Sequence, residues 1–154
     1  MGLVLLITLP MIKMVDGKAL GVADYFLAAA IVVVVIFEFI ADQQQWNYQK
    51  EKYRLKNAGL PLEGIYKKGF THTGLWAYMR HPNYAAEQLV WILIYCFSIS
   101  ATGLWINWTV AGSILLVLLF KGSSDFSEKN SAEKYPDYKE YQKKVPRFVP
   151  FTKL

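Results

Sequence analysis

From Leu20 to Ala41 the chain reads LGVADYFLAAAIVVVVIFEFIA. As a helix this stretch is about 33 Å long at roughly 1.5 Å per residue, enough to cross a hydrocarbon core of about 30 Å. Its β-branched centre, Ile31 to Ile36, would suit a buried strand in water. In lipid a lone strand leaves its backbone groups unsatisfied, so a membrane helix is expected. A second stretch, Leu89 to Phe120, contains no charged residue. As one helix it would measure about 48 Å, too long for a single crossing. Gly103, near its middle, allows a reversal. The reading is therefore all-α, with about three transmembrane helices at roughly 20–41, 82–101 and 104–121.

The rest of the composition agrees. Hydrophobic residues make up 54% of the 154 and aromatic residues 16%, too apolar for a soluble domain of this size. The net charge of +5 does not indicate nucleic acid, because the basic residues lie between the apolar runs. Seven Lys or Arg fall in Asp42–Asn83 and eight in Lys121–Leu154, against only Lys13 and Lys18 on the other side. Under the positive-inside rule this puts both polar segments, and the C-terminus, in the cytoplasm. Cys96 is the single cysteine and sits in an apolar run, so no disulfide framework or metal site is expected. Met1 to Pro10 has neither a basic n-region nor a small-residue cleavage site and is not read as a signal peptide. The chain is thus taken as a single membrane domain over 1–154. Within it, 1–19 is a partial helix and outer loop, 42–81 a cytoplasmic segment and 122–154 a cytoplasmic cap.

The segment Gly74-Leu75-Trp76-Ala77-Tyr78-Met79-Arg80-His81-Pro82-Asn83-Tyr84-Ala85-Ala86-Glu87 holds the densest chemistry. Pro82 suits a first helical turn. Arg80 and His81 then stand at a helix N-terminus, where free N–H groups attract anions and the guanidinium fork matches phosphate or carboxylate. Asn83 and Glu87 share a face one turn on, and an ionisable Glu87 inside a membrane helix needs a pocket or partner. The plainer reading makes Arg80, His81 and Tyr84 interfacial residues beside lipid headgroups. Glu38, Asp42, Gln45 and Gln49 form a polar stripe, so the first span is expected to continue past the membrane surface. In the tail, Tyr135 to Gln142 reads as a short helix with Tyr138 and Tyr141 on one face, and Pro146 and Pro150 enforce extended chain. The tail is expected to fold back as a cap, with Tyr138, Tyr141 and Phe151 packing and with Ser123, Ser124, Asp125 and Glu128 lining a hinge.

Together, Gly74-Leu75-Trp76, Arg80-His81-Pro82-Asn83-Tyr84 and Glu87, an apolar hairpin, and a tail with Tyr138, Tyr141, Val145-Pro146 and Pro150 resemble one membrane-enzyme superfamily. It contains the steroid 5-alpha-reductases, the sterol C14 and delta-7 reductases and the isoprenylcysteine carboxyl methyltransferases. The chain looks most like the bacterial-type branch labelled DUF1295, whose members show an Ala-Asp-x-Gln-Gln segment like Ala41 to Gln45. The resemblance implies the C-terminal, cofactor-binding part of a longer fold, opening to the cytoplasm, whose upstream spans supply much of the lipid-substrate cavity. It implies cofactor contacts from Asn83 and Glu87, a pocket lined by Arg80, His81 and Tyr84, and weaker roles for Asp42 and Asp125.

The implied activity is NADPH-dependent reduction of a carbon–carbon double bond in a lipid or steroid-like enone. A methyltransferase using S-adenosylmethionine on a lipid-linked acceptor stays open, because this chain has only Arg54, Arg80 and Arg147 for phosphates. A non-catalytic membrane scaffold is the third possibility. The expected partners are membrane lipids and a lipid-like small molecule. The charge split makes one test immediate: with cysteines placed at Lys56, Lys143 and Lys18, an impermeant thiol reagent outside intact cells should label only position 18. Labelling of all three would overturn the orientation.

Overall fold

The structure, a computed structural model, describes residues 2–15 and 17–150. Helix α1 covers Gly2–Val15 and α2 covers Val22–Asn57, about 54 Å of continuous helix. α3 spans Pro82–Thr102, α4 spans Val110–Lys134 and α5 spans Tyr138–Lys144, with short 3₁₀ turns at Gly64–Tyr66 and Gly74–Ala77. No strand occurs among the described residues. The fold is all-α, and α2, α3 and α4 are each long and apolar enough to cross a bilayer.

The chain folds as two compact units. One holds Met1–Ile36 and Ala86–Gly122, the other Phe37–Ala85 and Ser123–Leu154. In the first unit, α2 opens with Gly21 at its cap, where the Asp24 carboxylate accepts the Gly21 N–H at 2.8 Å. That reciprocal contact occupies one of the donors a helix start leaves open. Val32, Val33, Val35 and Ile36 are all exposed, as suits side chains whose surroundings are lipid tails. α1 lies against α4 at Gly112, where a Cβ would stand 2.1 Å from the Leu6 carbonyl oxygen. Only glycine permits that approach, the small-residue device that lets membrane helices pack backbone to backbone.

The reversal at Gly103 forms as expected, with φ of +74°. The second helix of the hairpin, however, starts at Val110 and not at Leu104. The Tyr95 hydroxyl donates to the Trp105 carbonyl at 3.1 Å and accepts the Asn107 N–H at 3.1 Å, while Asn107 caps toward Thr109. These bonds hold 103–109 as an ordered loop. α2 continues past the apolar run, as its polar stripe indicates. α4 runs unbroken through Ser123, Ser124, Asp125 and Glu128, so the expected hinge is absent. No proline occurs in α4, the next being Pro136, and without one the hydrogen-bond ladder continues through Gly122 and the polar residues after it. Pro136 also delays the tail helix, which starts at Tyr138 and not at Tyr135. Phe151 lies outside the described residues.

Candidate functional site

The second unit is organised by one carboxylate. Glu128, on α4, is 2% exposed. Its Oε1 accepts Arg80 Nε–H at 2.8 Å and His81 Nε2–H at 2.9 Å. Its Oε2 accepts from Gln142 at 2.8 Å, Arg80 Nη2 at 3.2 Å and Arg147 Nη2 at 3.3 Å. Arg80 Nη1 donates in addition to the carbonyls of Gln142, at 2.9 Å, and Val145. The backbone repeats the connection: Arg80 N–H donates to the Pro146 carbonyl at 2.9 Å and His81 N–H to that of Arg147 at 3.0 Å. A buried charge is tolerated when it is paired and fully hydrogen-bonded, and this one is.

Aromatic packing supports the same tail. Phe70 stands 4.9 Å from the Tyr138 ring and 5.2 Å from that of Tyr141, and Tyr135 lies at 5.8 Å. The Tyr141 hydroxyl donates to the Trp76 carbonyl, and the Trp76 indole N–H donates to the Ala41 carbonyl at 3.2 Å. The loop before Arg80 is held to α2 by two of that helix's glutamines. Gln44 accepts the Leu75 N–H at 2.9 Å, and Gln45 accepts the Thr71 hydroxyl.

These elements enclose a cleft of about 650 Å³, within the usual range for a ligand site. Arg80, His81, Asn83 and Tyr84 line it. They differ in what they offer. The Arg80 fork is turned to Glu128 and the tail carbonyls. The His81 ring stacks on Tyr84 with centroids 5.2 Å apart. The Asn83 amide donates to Asp42 Oδ1 at 2.9 Å, and its oxygen accepts the Tyr84 N–H. Asp42, Glu87 and Asp125 are not among the described lining residues. Glu87 accepts the Trp91 indole N–H at 2.9 Å, one turn along α3. Asp125 takes Arg147 Nη1 at 2.5 Å.

Sequence reasoning missed the roles of Glu128, Lys52 and Lys134, of which both lysines line the cleft. For Lys52 a signal existed, since it lies eleven residues after Ala41 on the face that Ala41 and Tyr48 bury. For Glu128 none did, because its partners lie 47 and 48 residues upstream.

Residues 2–145 match the family described as a protein of unknown function, DUF1295. The chain belongs to the DUF1295 family. This DUF1295 chain is similar to an uncharacterised protein of Schizosaccharomyces pombe, at 38% identity over 141 residues, 88% of this chain and 41% of the yeast protein. It thus spans about two fifths of that relative's length. No solved structure matches it.

Burial, with the Glu128 charge nearby, pushes the Tyr138 hydroxyl up to about 12, and burial drives Tyr141 up as well. A proton held more tightly in the folded state gives stability that is complete below the unfolded tyrosine value of about 10 and is lost as pH rises through the folded one. Melting temperature should therefore fall between about pH 10 and 12. Tyr138→Phe, which cannot ionise, should flatten part of that decline; an unchanged pH profile would show that Tyr138 is not buried in the cap.

Proposed function

We propose that the cleft holds NADPH and that the protein reduces an activated carbon–carbon double bond in a lipid or steroid-like enone. The observation carrying this reading is the charge of the cleft's lining. Lys52, Arg80, His81 and Lys134 contribute to it, while no Asp or Glu is among its described residues. The charges of Arg80 and Arg147 are balanced by Glu128 and Asp125, so the two lysines leave the wall positive. Tyrosine, phenylalanine and tryptophan rings and the amides of Gln45, Gln49, Asn83 and Asn130 complete it. Cations, ring faces and amides suit a phosphate-bearing nucleotide.

The residues present fit that cofactor better than they fit a sulfonium. S-adenosylmethionine brings a positive centre that acidic groups would stabilise. Two acids that could serve it, Asp42 and Glu87, are bonded to Asn83 and Trp91 and are not among the cleft's described lining residues. When bound, the reduced nicotinamide supplies a hydride to one carbon of the double bond, and an acid adds a proton to the other. The chain's own contribution is to bind and orient. His81, fixed by Glu128, holds the Tyr84 ring in place, and Asp42 orients the Asn83 amide.

Ligand-dependent melting tests the reading. NADPH at a hundred times its dissociation constant should stabilise the purified protein by about 2.7 kcal/mol, a rise of several degrees. A rise with S-adenosylmethionine alone would transfer the assignment to the methyltransferase. No response to either would leave the scaffold.

A further inference from the structure

Lys52 is the most unusual charge in the second unit. It is 3% exposed, on a side chain type that is almost never buried without a partner. Its ammonium donates to the Gly69 carbonyl at 3.0 Å. It also lies 5.1 Å from the ring centre of Tyr53 and 5.8 Å from those of Tyr48 and Tyr135. No carboxylate pairs with it among the described residues. One carbonyl and three ring faces compensate part of the desolvation of an ammonium ion, which has three N–H donors. Lys52 is also among the residues that line the cleft.

A second cation stands close by. Lys134 lines the same cleft, and its Nζ is 5.5 Å from the centre of the same Tyr135 ring. The two ammonium groups thus flank one tyrosine, the inner one buried and the outer one exposed. Asn130 and Ser131, which also line the cleft, add neutral hydrogen-bonding groups. We propose that Lys52 and Lys134 form a phosphate-binding subsite of the cleft. A phosphate there would give Lys52 the counter-charge that the protein itself withholds. The proposal rests on the cofactor reading for the molecule that carries the phosphate, but the subsite is testable without that molecule.

The test uses the full chain in discs of neutral phosphatidylcholine, with inorganic pyrophosphate as the probe and calorimetry as the readout. The wild type should bind pyrophosphate, more weakly as salt is raised. Lys52→Gln should lower its affinity about tenfold or more, and the exposed Lys134→Gln about three- to fivefold. No binding by the wild type, or unchanged affinity in both variants, overturns the proposal. If Lys52→Gln melts far below the wild type, Lys134→Gln decides alone, and its unchanged affinity is then the overturning result. Loss of pyrophosphate binding on adding phosphatidylglycerol to the discs would assign the subsite to a lipid headgroup phosphate; indifference would assign it to a soluble ligand. Binding of pyrophosphate with no binding of NADPH would keep the subsite and overturn the cofactor reading.

Discussion

A single carboxylate, Glu128, accepts hydrogen bonds from Arg80, His81, Gln142 and Arg147, and the second unit depends on it. Those donors come from the loop before α3, from α5 and from the extended tail. Each of these pieces is too short to be stable alone: α5 has seven residues, and the 3₁₀ turns have three and four. Their order comes from converging on one buried charge, and from the Phe70–Tyr138–Tyr141 cluster packed beside it. Removing one partner of such a network leaves the others charged and unpaired in a dry site, which typically costs about 3–5 kcal/mol.

The same constraint sets what the cleft can recognise. Glu128 neutralises Arg80, the residue whose fork would otherwise suit a phosphate, and together with Asp125 it engages Arg147. The arginines near the cleft are therefore structural, and its free positive charge falls to lysines. A scarcity of arginine then carries less weight against a phosphate-bearing ligand than it does in the bare sequence.

The membrane helices were legible because their cause is local: a hydrocarbon core demands long apolar runs, and LGVADYFLAAAIVVVVIFEFIA, uncharged from Tyr25 to Phe37, supplies one. The polar stripe after Glu38 gave the continuation of α2, since residues three and four apart share a helix face. The loop 103–109 was not legible, because its residues are apolar enough for a span, and what unwinds them is a hydroxyl on Tyr95 eight or more residues earlier. The cleft was legible in part. Arg80, His81, Asn83 and Tyr84 came together, since proximity in sequence carried them. Glu87 and Asp125 met partners elsewhere, Trp91 and Arg147. Ser123 to Glu128 read as a hinge because polar residues follow an apolar run, yet polarity alone does not break a helix.

Hydrogen exchange in Glu128→Gln tests the central claim most directly. The amides of Arg80 and His81, bonded to the carbonyls of Pro146 and Arg147, and the amides of α5 should lose protection together. Those in the apolar part of α3, 89–102, should keep it. Undiminished protection at Arg80, His81 and α5 in that variant would show that the loop and the tail are held by something other than the Glu128 charge.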